Sequence, residues 1–167
     1  MNNLSTYFLQ FLDNASLAWG LIACGFAQFL KLFFELLFYK RWRPAVLLET
    51  GGMPSSHSAL VTGTATGIGL ERGFDDPVFA IAATFAFIVM YDASGIRRSA
   101  GLIAKRVNEL PAENWPTFPD SPLKEGLGHS RFEVLVGSII GPLVVFPGIN
   151  FFGSPLQLIN HLDQFLG

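Results

Sequence analysis

Charge is absent from residues 14–30, 50–70, 77–91 and 134–162. A helix that crosses a membrane needs about 20 mostly apolar residues. With their flanks, these runs predict four spans at about 16–39, 55–71, 77–95 and 132–152. The expected fold is therefore all-α, an integral membrane bundle of about four transmembrane helices in one domain over 1–167. The second and third spans are short or rich in small and polar residues, which suits the inside of a bundle. Residues 1–15 read as an amphipathic lead-in, and 96–131 as the one long polar segment, with a short helix over 99–107 and a proline-rich loop over 114–122.

Local signals set the expected boundaries. Arg43-Pro44 disfavours helix at Arg43, so the first span should end near Lys40. The segment 50–54 is a turn, and Ser55 or Ser56 is the expected N-cap of the second span. Ala59, Gly63 and Gly67 then form a small stripe that admits a close neighbour. The fourth span should start near His129, bend at Pro142 and end between Pro147 and Asn150. Lys31 and Glu35 interrupt the first span one turn apart; their spacing turns both toward the bundle interior, where they compensate each other's charge.

Composition narrows the class further. Half of the 167 residues are hydrophobic, 14% are charged, and the mean hydropathy is +0.41. Soluble domains carry about 25% charge, and disorder requires more charge still. Cys24 is alone, which excludes a disulfide scaffold. A net charge of −2 offers no field for nucleic acid. Nine of the eleven Lys and Arg fall at 40–43, 97–106, 124 and 131, whereas the connection 71–76 is net acidic. The positive-inside rule then places 40–54 and 96–131 in the cytoplasm, with both termini on the far side.

Polar chemistry gathers at the cytoplasmic ends of the spans. The first cluster, Lys40 to Pro44 with Arg43, suits either a phosphate or a basic membrane anchor. The second, Gly51-Gly-Met-Pro-Ser-Ser-His57-Ser-Ala59, sets Ser55, Ser56 and His57 at a helix N-terminus, where free N–H groups and the helix dipole favour an anion. The third, Tyr91-Asp92-Ala-Ser-Gly-Ile-Arg97-Arg98, offers paired guanidinium groups for phosphate oxygens, with Asp92 able to orient one. The fourth places His129 and Glu133 on one helix face, a carboxylate against an imidazole, which suits a nucleophile or a base.

These clusters resemble the three motifs of the phosphatidic acid phosphatase type 2 enzymes: a Lys followed by Arg-Pro, a Pro-Ser-Gly-His, and a Ser-Arg followed by His-x-x-x-Asp and Val-x-x-Gly. The matching residues are Arg43-Pro44, Pro54-Ser-Ser-His57 and His129-x-x-x-Glu133-Val-x-x-Gly137. The strings around 51–59, 91–98 and 123–129 resemble the divergent branch of that family, related to acid phosphatases and vanadium-dependent haloperoxidases. Four positions depart from the pattern: Leu36 where the first-motif Lys stands, with Lys40 nearest; Ser56 for Gly; Glu133 for Asp; and Leu123 for the third-motif Arg, with Lys124 adjacent and Arg97 or Arg98 able to fold back.

The resemblance implies a phosphatase for a lipid phosphomonoester such as phosphatidate or phosphatidylglycerol phosphate. It implies His129 as nucleophile, Glu133 as its orienting carboxylate and His57 as acid and then base. Lys40, Arg43, Ser55, Ser56, Arg97 and Arg98 would cradle the phosphate, with Asp92 and Lys124 in support. It implies no cofactor, since the main branch uses no metal; Asp92 and Glu133 are the two carboxylates that Mg²⁺ would use. The expected partners are the lipid substrate and membrane lipids, and the small stripe leaves room for a homodimer. The alternative is a non-catalytic membrane protein that keeps a phosphate or head-group site.

Overall fold

A computed structural model describes residues 3–40, 42–48, 51–111 and 121–166. The residues 112–120 of the proline-rich loop, together with Arg41 and Thr50, lie outside the described residues. The chain forms seven α-helices among the described residues: α1 Asn3–Leu12, α2 Ala15–Tyr39, α3 Ser56–Arg72, α4 Pro77–Ser94, α5 Ile96–Asn108, α6 Arg131–Phe152 and α7 Pro155–Leu166. A short 3-10 turn, Pro44–Leu48, follows α2. No strand occurs among the described residues. Three helical stretches are long and apolar enough to cross a membrane: 15–38, 77–108 and 131–152.

The ends are set by caps. Asn14 accepts from the Leu17 amide and opens α2. Lys40 closes it in the left-handed region at φ 53°, its N–H bonded to the Leu36 carbonyl. Ser55 caps α3, and Asp76 caps α4 with Pro77 at the first helical position. α6 opens with a full capping box, Ser130 accepting from the Glu133 amide while the Glu133 carboxylate accepts from the Ser130 amide. It then runs through both Pro142 and Pro147 to Phe152, where the span expected over 132–152 ends and beyond the end that the prolines suggested. Pro disrupts helices because it removes a backbone bond, and in spanning helices neighbours and local adjustments re-satisfy the freed carbonyls.

The core is made of small side chains and the surface of large ones. Ala23, Ala27, Ala59, Ala65 and Ala86 are buried, while Phe26, Phe29, Phe33, Phe85, Phe87 and Phe146 face outward, Phe87 at 73% exposure. In water this arrangement would be strongly unfavourable; in lipid, helices gain little from burying Leu or Phe and associate through close backbone contact. α3 is the helix that such contact centres on, packing against α2, α4 and α6. Gly63 lies against Gly141, Val145 and Ala23, and Gly67 against Ser16. The small stripe is thus consumed inside the chain and carries no argument for a dimer. At 17 residues, and rich in Gly, Ser and Thr, α3 is not among the stretches long and apolar enough to cross alone; its neighbours shield it.

Up-and-down order brings the C-termini of α2 and α4 to the same end as the N-termini of α3 and α6. Two backbone bonds tie that end together, Ser55 N–H to the Glu133 carbonyl at 3.1 Å and His129 N–H to the Ala93 carbonyl at 2.9 Å. The opposite end is fastened separately, by Ser16 donating to Glu71, Trp19 Nε1 to the Gly153 carbonyl at 2.8 Å, and Ser154 to Asp13 at 2.6 Å.

Candidate functional site

The site is built on the capping box of α6. His129 directly precedes the cap and is 3% exposed. Its Nδ1 lies 3.2 Å from Glu133 Oε2, the same oxygen that accepts from the Ser130 amide at 3.0 Å. A carboxylate only accepts, so the ring proton sits on Nδ1 and the lone pair on Nε2. Nε2 is buried and has no hydrogen-bond partner among the described residues. A buried polar atom left unpartnered is costly and calls for a ligand or a chemical role. The approach of the preceding loop depends on Gly128, at φ 78°, where a β-carbon would strike the backbone of Arg97 and Arg98.

Two cavities meet at His129. A small one of about 30 Å³, about one water in size, is lined by His57, Val89, Ala93, Arg97, Leu127, Gly128 and His129. A larger one of about 430 Å³ is walled by glycine backbone at 51, 52, 101, 126 and 128 and carries Arg98, Lys105, Glu125, His129 and Glu133. The two histidines expected to act together therefore share one cavity, with Arg97 as the guanidinium beside them. Arg97 Nε is fixed by Asp92 Oδ2 at 2.6 Å, which leaves its terminal nitrogens to serve an anion. Arg98, the next residue, faces the outer cavity instead.

Other expected residues are placed differently. Ser55 is fully buried, and its hydroxyl oxygen accepts from the Ser58 amide and hydroxyl, so it serves the helix cap. Ser56 is buried in the first turn of α3. Lys40, Arg43 and Lys124 are exposed and line neither cavity. Asp92 and Glu133 engage different partners, Arg97 and His129. Among the described residues no group of three or more His, Cys, Asp or Glu converges on a metal position.

One residue of this end was read as structural in the sequence and lies next to the site. Lys31 of α2 is 1% exposed and shares a third cavity, of about 460 Å³, with Glu35, Phe34, Phe38, Phe132 and Glu133. The available signal was a lysine within an otherwise apolar span. Pairing it only with Glu35 hid its nearness to a carboxylate a hundred residues on.

A helical membrane bundle with a buried, carboxylate-held histidine facing a second histidine and an arginine is the class that fold and site define. The chain belongs to the divergent PAP2 family, which it matches over residues 12–144. It is 38% identical over 157 residues to the uncharacterized membrane protein YuiD of Bacillus subtilis (strain 168), an alignment that covers 86% of this chain and 99% of that relative. No solved structure matches the chain. The matched region contains every residue of the two cavities at His129, and it ends inside α6.

Proposed function

We propose that the protein is a lipid phosphate phosphatase that cleaves a phosphomonoester, such as phosphatidylglycerol phosphate or phosphatidate, through a phosphohistidine. The observation that carries the reading is the unpartnered, buried Nε2 of His129 with Nδ1 held by Glu133. A nucleophile needs a free lone pair and a group that stabilises the charge it acquires. Nε2 would attack phosphorus as the bond to the lipid oxygen breaks, and His57 would hand that oxygen a proton. Water would then attack the phosphohistidine, giving its proton to His57 and releasing phosphate and free His129.

Arg97, fixed by Asp92, would stabilise the equatorial oxygens, and Arg98 with Lys105 would draw the anion into the outer cavity. Lys40, Arg43 and Lys124 would act at longer range, on head groups at the membrane surface. In this reading the site faces the cytoplasm, where the basic loops lie, and the substrate arrives as a membrane lipid. The chemistry needs no metal, so Asp92 and Glu133 keep their protein partners throughout.

The test is phosphate release by the protein purified in detergent, from phosphatidate and from phosphatidylglycerol phosphate, with and without EDTA, beside His129→Ala and His57→Ala. Release that survives EDTA and disappears in both variants is the expected result. Release abolished by EDTA would replace the mechanism with a metal-assisted one through Asp92 or Glu133. No release by folded protein would favour a head-group binding role.

A further inference from the structure

We propose that α5 is an interfacial helix, seated in the leaflet beside the site by one apolar face and held to anionic head groups by its basic side chains. Its depth follows from the length of α4. With 18 residues, α4 is about 27 Å long, close to a hydrocarbon thickness of about 30 Å. α5 starts after a single residue, Gly95, whose φ of −107° and ψ of −88° break the helical path. It therefore begins where the hydrocarbon ends. Its rotation is fixed by the loop that leads into α6. Gly101 lies so close to the Glu125 and Leu127 carbonyls that a β-carbon would collide with them. Asn108 donates to the Leu123 carbonyl and to Glu125 Oε1, both at 2.9 Å, and accepts from the Leu123 amide at 3.0 Å. Ala104, between them on the same side, is buried.

That contact turns another face of α5 away from the chain. Ile96, Ala100, Ile103 and Val107 follow one another at the spacing of a single helix face. Ile96 is 68% exposed and Ile103 63%, so the chain itself does not cover them. The charge of α5 says what does. Its charged residues are Arg97, Arg98, Lys105 and Arg106, and no Asp or Glu lies between 96 and 108. Arg97 is held by Asp92, and Arg106 faces Glu109 at 3.9 Å with both exposed. Arg98 and Lys105 have no ion pair among the described residues, which leaves a positive surplus. A helix with basic residues on one face and large apolar ones on another lies in the plane of an anionic bilayer surface. A second copy fits less well, because a symmetric pairing of the two apolar faces would bring both surpluses together. Arg98 and Lys105 also line the outer cavity at His129. Seating α5 in the surface sets that cavity at head-group depth, so an anionic lipid reaches it along the bilayer.

The experiment uses the full chain with Cys24→Ala, reconstituted in vesicles of phosphatidylcholine and phosphatidylglycerol. Ile96→Cys, Ile103→Cys and Lys105→Cys each carry an environment-sensitive fluorophore. The two isoleucine positions are independent tests of the apolar face, so failure of one variant to fold leaves the other. Both are expected to be quenched by a spin label on the upper acyl chain and shielded from aqueous iodide, with position 105 showing the reverse. A head-group spin label on phosphatidylglycerol should then quench the probe at 103 several-fold more than the same label on phosphatidylcholine. Each cation removed should lower that excess by up to about fivefold, so Lys105→Gln with Arg106→Gln should bring the two lipids close to equal, as should high salt. Iodide access at 96 and 103 equal to that at 105 puts the face in water and overturns the proposal. Shielding from both quenchers with self-quenching between labelled copies overturns it in favour of a second copy. Equal quenching by the two lipids in the unaltered helix overturns the anionic partner. Phosphate release enters none of these readouts, so the phosphatase reading can fail while this one holds.

Discussion

At the scale of single residues, the site turns on which nitrogen of His129 carries the proton. Glu133→Gln removes the acceptor that fixes it, since an amide presents N–H as readily as C=O. The expected outcome is a kcat lower by roughly 10³–10⁴-fold, as when an orienting carboxylate is made an amide in a triad, with KM changed little. Steady-state phosphate release measures it; a loss below tenfold would remove Glu133 from the mechanism. Arg97→Ala should cost about 10²-fold in kcat if its guanidinium meets the developing charge, and Arg98→Ala should act mainly on KM. The pairing of His129 with Glu133 was legible in the sequence because one helical turn brings them onto one face. The different placement of Arg97 and Arg98 was not, because adjacent residues at a helix start point into different cavities, and the packing of the Gly128 backbone against them decides which faces the histidines.

At the scale of helices, the register of α3 against α6 holds the site closed. Gly137 of α6 meets the Ser55 carbonyl so closely that a β-carbon would collide with it. Gly137→Ala should therefore destabilise the protein by about 1–3 kcal/mol, the cost of overpacking, and should lower activity by parting His129 from His57. Gly25→Ala is the control, because nothing lies within 4 Å of its added carbon and the exchange favours helix by up to about 1 kcal/mol. Unfolding in detergent followed by circular dichroism separates the two. Asp76 supplies a pH-dependent test at the other end of the bundle. Its carboxylate accepts from the Val78 amide at 2.7 Å and from Arg72 at 3.2 Å, and the Val78 bond first of all holds its pKa below the usual carboxylate range. A depressed pKa in the folded protein adds stability above the unfolded value of about 4, and that stability is lost as pH falls through the lower folded value. The melting difference between wild type and Asp76→Ala should thus be present at pH 7 and shrink below pH 4. The spanning helices were legible from uncharged runs and cap residues, whereas α7, short and past the last span, was not read. The extent of α6 was legible from its uncharged run but not from its prolines, which end a helix in water and are carried through within a bundle.

At the scale of the whole molecule, the decisive question is which side of the membrane the site faces. Antiparallel order puts the basic segments following α2 and α4 and the start of α6 at one end, with the 71–76 connection at the other. Charge bias of this kind governs insertion, because Lys and Arg near span ends are retained on the cytoplasmic side. The residue positions suited to test it are Lys105 and Asp75, both exposed and at opposite ends. In a background with Cys24→Ala, Lys105→Cys and Asp75→Cys would each be treated with a membrane-impermeant maleimide in right-side-out and inverted vesicles. The expected pattern is labelling of position 75 only in the first and of position 105 only in the second. That pattern would restrict substrates to lipids whose phosphate is displayed in the inner leaflet, since a head group does not cross the hydrocarbon unaided. The reverse pattern would leave the geometry at His129 untouched. It would nevertheless assign the site to phosphates presented on the outer face, and the basic ends of the helices would then have to be explained by substrate binding rather than by insertion.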